Sequence, residues 1–177
     1  MKKNMDYDVH SLFSEATRER QYFYIKKRII IEEMLPMDEM QEFHWWVVNG
    51  LPVFTSIRYN NDETGERLGS YFSTRFRKLN MGAQTIHHRH PLPMPKKWDD
   101  MRKIARTLTS SVDGVVRLDM FANDEAVWFG EYTFTGDRCR HLANKTISSD
   151  ALLYNILHGK IKPEDVTPQF VEMYVNG

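Results

Sequence analysis

Apolar positions along the chain group into short unbroken runs, hairpin-like pairs and one clear helical repeat. Ile29, Ile30 and Ile31, with Pro36 stopping the run, predict a buried β-strand that carries Glu32 and Glu33 at its outgoing end. Phe43 to Val48 and Leu51 to Ile57 flank Asn49-Gly50, the strongest short turn signal, and predict a hairpin. Pro52 then belongs at a strand start or an edge, because it cannot donate to a ladder. Met101, Ile104, Ala105 and Leu108 recur at three- and four-residue spacing and predict an amphipathic helix over Trp98 to Leu108. A second hairpin follows, with Val115 to Phe121 leading in and Val127 to Phe134 leading away. Ser149-Asp150 opens a helix through Leu157 that Gly159 ends, and Thr167-Pro168 opens a last one with Phe170, Val171 and Tyr174 inward. Tyr59 to Leu92 is polar and turn-rich, which predicts a loop or lid, and Tyr7 to Tyr24 predicts a short helix or an arm. The pattern is α+β in one domain: an arm over 1–27, a sheet-and-helix core over 28–135 and a helical tail over 136–177.

The second hairpin carries Arg117, Asp119 and Glu131 at positions that apolar neighbours would otherwise bury. Loop length decides which face each occupies. With an odd loop, the three residues Asn123-Asp124-Glu125, Ala122 pairs with Ala126, Asp119 faces Phe129 and Arg117 faces Glu131. All of them then share one face with Thr133. A two-residue loop would send Asp119 and Glu131 to opposite faces, because strand side chains alternate strictly. The odd loop is the one expected. Two carboxylates and a guanidinium on one face suit Mg²⁺ plus phosphate, with the guanidinium in a forked contact. A cross-strand ion pair on a wet sheet explains the same spacing, and spacing alone does not separate the two.

With 24 basic and 24 acidic side chains the formal net charge is zero, so no global field favours nucleic acid or an anionic membrane. Any anion site must be local. The single cysteine, Cys139, excludes an internal disulfide, and the amino terminus has no apolar signal-peptide core. No apolar run reaches the ~20 residues of a membrane-spanning helix. The expected compartment is the cytoplasm.

His87, His88 and His90 invite a metal reading, but adjacent imidazoles rarely converge on one ion and no complementary pair supports zinc. With Arg75, Arg77, Lys78 and Arg89 they form a local basic segment that an RNA-contacting module would use. His44, Trp45 and Trp46 suit a base-stacking platform or, more commonly for tryptophan in an apolar strand, a core. No nucleophile elbow accompanies Asp119, Cys139 or His141, so hydrolase chemistry is rejected.

Taken in order, IKKRIIIEEML, EFHWWVVNGLPVF, WDDMRKIARTL and VVRLDMFANDEAVWFGEYTFT resemble the carboxyl-terminal part of the TupA-like ATP-grasp family over roughly Tyr22 to Thr135. The most specific element is the Arg-x-Asp strand followed by an aromatic strand and Gly-Glu-x-Thr-Phe. The resemblance implies an ATP-grasp-like antiparallel sheet flanked by helices. It further implies binding of ATP and magnesium to activate a carboxylate as an acyl phosphate for attack by an amine or other nucleophile. It associates the chain with bacterial surface polysaccharide synthesis of the teichuronic acid type, and so with a surface-glycan precursor. By the same resemblance Glu32, Glu33, Met34 and Leu35 hold adenine and ribose, Arg117 is the catalytic contact to phosphate, and Asp119, Glu131 and Thr133 are the magnesium ligands. Thr133 stands where many ATP-grasp enzymes have Asn, and His44 where the family has Lys. Gly136 to His141 replaces a Pro-Gly-rich turn. Only 28 residues precede Ile29 and none forms a Gly-rich phosphate loop. The expectation is therefore a missing or reduced amino-terminal subdomain, with the clamp completed by a second chain or second copy. A degenerate, non-catalytic scaffold is the alternative.

Overall fold

A computed structural model of the chain describes residues 24–26, 28–36, 40–60, 67–81, 92–134 and 149–171. Its centre is a six-stranded sheet in the order β4-β3-β2-β1-β5-β6. The strands are β1 (Gln41–Val48), β2 (Leu51–Asn60), β3 (Arg67–Ser73), β4 (Lys78–Leu79), β5 (Val115–Ala122) and β6 (Val127–Thr133). Every neighbouring pair is antiparallel. Helix α1 (Trp98–Leu108) precedes β5, and α2 (Ser149–Leu157) follows β6.

Both expected hairpins form. Asn49 (φ 48°) and Gly50 (φ 74°) are both left-handed, the conformation that matches strand twist in a two-residue turn. A side chain at Gly50 would also lie 3.1 Å from the carbonyl oxygen of Thr109. Pro52 sits at the start of β2, ahead of the first residue that pairs with β3, so its missing N–H leaves that ladder intact.

Helix α1 follows its periodicity over the expected residues and buries Trp98, Met101 and Ala105 against Phe43, Trp45, Leu118, Met120 and Ala122 on one sheet face. Burying a side chain of this size stabilises the fold by roughly 2–3 kcal/mol. Leu152, Leu153 and Ile156 of α2 pack with Val48, Val53, Phe54 and Leu79, so α2 belongs to the same folded body as the sheet. Beyond it the backbone N–H of Phe170 donates to Thr167 Oγ1 at 3.2 Å, the expected cap, and Val171 is buried.

Three expectations are corrected. The segment 28–36 is not a buried strand: it has no regular structure, and Ile29, Ile30 and Ile31 are exposed, the last by 93%. A strand needs a neighbour to satisfy its backbone, and no described strand runs beside this one. Tyr59 to Leu92 is not all loop, since it contains the end of β2, all of β3 and β4. Small residues such as Gly69, Ser70 and Ser73 disguise β3, yet Ser70 and Ser73 are buried in the sheet. The turn between β5 and β6 is not three residues long: Ala122 pairs with Val127, leaving four residues between them. Asn123 Oδ1 accepts from the N–H groups of Glu125 and Ala126 at 2.8 and 2.9 Å and closes that longer turn. The arm over 7–23, the histidines at 87, 88 and 90, Cys139, His141 and Tyr174 lie outside the described residues.

Candidate functional site

A four-residue turn alone would place Asp119 opposite Gly130 and send Glu131 to the α1 face. Instead the register shifts by one between Asp119 and Met120, with Gly130 the extra residue on β6. Beyond this bulge Asp119 faces Glu131 and Arg117 faces Thr133. The expected common face is therefore reached, by different pairings from those expected. Gly130 is required there, since a Cβ would lie 2.9 Å from the carbonyl oxygen of Asp119 and 3.2 Å from the Phe121 ring.

A second bulge acts on the other side of β1. The Asn49-Gly50 turn sets Val48 opposite Leu51, but after a shift between Trp46 and Val47 the pairs become Trp46 with Phe54, His44 with Ser56 and Glu42 with Arg58. With both shifts in place, Tyr71, Ser56, His44, Asp119 and Glu131 form one transverse row over β3, β2, β1, β5 and β6. The next row is Ser73, Phe54, Trp46, Arg117 and Thr133, and the row on the other side is Gly69, Arg58, Glu42 and Phe121. This is the face opposite α1.

The Arg117 guanidinium donates through Nε to Asp119 Oδ1 and through Nη2 to Asp119 Oδ2, both at 2.7 Å. Nη2 also donates to Thr133 Oγ1 at 3.1 Å, and Thr133 Oγ1 donates to Glu131 Oε1 at 3.4 Å. The Trp46 ring supports the guanidinium from below at 5.9 Å. Side chains of Arg117 and Asp119 are only 12% and 8% exposed, so this fork is held in a weakly screened environment. Glu131 is exposed.

His44 stands beside Asp119, and its Nε2–H donates to Glu42 Oε1 at 2.7 Å. Burial pushes its pKa from 6.5 down to about 4, aided by Arg117 and Arg58 and opposed by Asp119 and Glu131. At neutral pH it is an uncharged imidazole beside the carboxylates. It therefore does not supply the cationic contact a lysine there would give. Of the aromatic pair beside it, Trp45 is fully buried and is core, as tryptophan in a strand usually is, whereas Trp46 lies on the site face.

The donor set suits a magnesium ion that arrives with phosphate: two facing carboxylates and a hydroxyl, with the remaining positions left to water or phosphate oxygens. It does not suit a self-sufficient protein cage. Among the described residues no group of three or more His, Cys, Asp or Glu side chains is arranged to hold a metal. Glu32, Glu33 and Met34 are exposed and Leu35 is half-buried, in an irregular segment that precedes β1 in the chain. An open cleft of about 820 Å³ lies elsewhere, at the sheet end lined by Met40, Phe43, Leu92, Met94, Ala122 and Asn123.

Sequence reasoning missed Ser56 and Arg58, and it took Gly130 only as part of the Gly-Glu-x-Thr-Phe motif, without its bulge. An unbroken alternation from the Asn-Gly turn puts Thr55 opposite His44 and hides Ser56 and Arg58 on the other face. No described helix is long and apolar enough to cross a membrane. No curated protein and no solved structure matches the chain. The family described as TupA-like ATPgrasp matches residues 1–155, and with that span covering most of the sequence the chain belongs to this family.

Proposed function

We propose that the face bearing Arg117, Asp119 and Glu131 binds ATP with magnesium, and that the protein is an ATP-dependent ligase of the carboxylate–amine type. The observation that supports this most is that the β6 bulge at Gly130 brings Glu131 and Thr133 onto the face that carries Arg117 and Asp119. Asp119 and Glu131 would hold the metal with Thr133 beside them. Magnesium, when bound, neutralises phosphate charge.

Arg117 is already oriented by Asp119 and Trp46, so it meets a phosphate oxygen without first being ordered. Phe121, next to Glu42 on the same face, gives a base a surface to stack on. Glu32 to Leu35, in an exposed segment, would close over adenine and ribose. A second chain or second copy would supply the opposite side of the clamp. The substrates would be surface-glycan precursors of the teichuronic acid type, handled in the cytoplasm.

Titration calorimetry with ATP, with and without Mg²⁺, tests this reading. Binding should require the metal, and Asp119→Asn or Glu131→Gln should each weaken it by about 10- to 100-fold, the range for losing a charged contact. ATP affinity indifferent to Mg²⁺ and to both substitutions would refute it. The non-catalytic alternative draws support from Asp119, whose two oxygens are both already engaged by Arg117. It predicts no turnover, and an ATP affinity that neither Mg²⁺ nor Asp119→Asn changes.

A further inference from the structure

On the same sheet face, Arg58 is a guanidinium that no described residue neutralises. Glu42 stands directly opposite it on β1, yet the two form no ion pair, and Glu42 instead accepts from His44. The Arg58 side chain runs the other way, across β3, where Gly69 is its cross-strand partner. A Cβ on Gly69 would lie 3.3 Å from Nη1, 3.5 Å from Cδ and 3.7 Å from Cζ, so the missing side chain is what lets Arg58 lie flat there. Two residues along β2, on the same side, is Ser56, which supplies a hydroxyl. Strand geometry puts the Arg58 and Arg117 Cα atoms roughly 17 Å apart, two strands across and four residues along, and the Arg58 side chain turns further away, toward Gly69.

A half-buried guanidinium with no carboxylate partner among the described residues, lying against a glycine and followed on the same side of its strand by the buried Ser56, carries the donors an oxyanion site uses. We propose that Arg58 and Ser56, with Gly69 as the floor that positions the guanidinium, form a second oxyanion subsite. It takes the carboxylate or phosphate group of a ligand other than the phosphates held at Arg117. The plain alternative is an arginine whose stem merely covers Gly69. The subsite is defined by its own donors and stands whether or not the Arg117 face holds ATP.

The test follows the Arg58 Nε–H resonance by NMR in the full chain, titrated separately with inorganic phosphate and with acetate. The subsite predicts a saturable shift at Arg58 with at least one probe. A stronger response to phosphate would assign the group as phosphate, and one to acetate as carboxylate. Arg58→Lys, which keeps the charge but loses the fork, should weaken the probe by about tenfold or more, read on the Ser56 amide. Gly69→Ala, which crowds the guanidinium but keeps every donor, should weaken it measurably. Shifts no larger at Arg58 than at the surface residues Arg75 and Arg77 would overturn the proposal, as would unchanged affinity in Arg58→Lys. Mg·ATP calorimetry on the same samples reads the Arg117 face independently. A drop there in Arg58→Lys matching the loss of the probe would also overturn it, by assigning Arg58 to the nucleotide.

Discussion

Replacing Gly130 with alanine tests whether the β6 bulge builds the site. The new methyl would stand 2.9 Å from the Asp119 carbonyl oxygen, closer than side-chain carbons approach backbone, and 3.2 Å from the Phe121 ring. The ring can turn, but the carbonyl belongs to the β5–β6 ladder, so one strand must move. Overpacking of this kind costs about 1–3 kcal/mol. For a chain of this size that lowers the melting temperature by roughly 3–10 °C. The direction of relaxation matters more than the energy. If the bulge is lost, the Ala122–Val127 register runs on unbroken, Asp119 faces residue 130, and Glu131 and Thr133 leave the Arg117 face. Gly130→Ala should therefore lose Mg·ATP affinity by about as much as Glu131→Gln, with a further loss of stability that Glu131→Gln, altering an exposed side chain, does not share. Melting followed by circular dichroism and calorimetry on the same samples read the two effects. A variant that melts and binds like the unaltered chain would refute the role given to the bulge.

His44 gives a pH signature. Its pKa falls from 6.5 to about 4 on folding, so below pH 6.5 the unfolded chain takes up a proton that the folded chain refuses. Its contribution is full above pH 6.5 and is lost as pH falls toward 4, by up to roughly 3 kcal/mol. Urea unfolding across that window should show a slope that flattens in His44→Gln, which can still donate to Glu42; equal slopes would count against the buried neutral imidazole. Trp45 Nε1 is buried without a hydrogen-bond partner among the described residues. Trp45→Phe removes that unsatisfied donor, worth about 1–3 kcal/mol, and so should lose less than about 1.5 kcal/mol net on chemical unfolding despite the smaller ring. A loss above about 3 kcal/mol would mean the indole N–H is satisfied.

The α1 helix was legible because its three- and four-residue repeat is local, and the Asn49-Gly50 hairpin because its turn chemistry is local. The bulges at Val53 and Gly130 were not. Each depends on contacts that only neighbouring strands supply, such as the Asp119 carbonyl against Gly130. The charges on β5 and β6 could be assigned to one face from alternation, but their partners could not, because the actual turn and the bulge offset one another by one residue each. Small polar residues disguise strand β3, because Ser70 and Ser73 do not read as core although the sheet buries them. Ile29 to Ile31 failed in the opposite sense: apolar composition states that a segment is fit for burial, not which surface covers it. The placement of Arg58 is not legible in the sequence because it depends on the direction its side chain takes, toward Gly69.

The most direct test of the account is where Mg·ATP binds, mapped by backbone amide shifts during a titration with its non-hydrolysable analogue. The prediction is saturable, magnesium-dependent shifts centred on Arg117, Asp119, Glu131 and Thr133 and extending to His44. Shifts confined to the cleft lined by Met40, Leu92 and Asn123, or no shifts at any concentration of the complex, would contradict it.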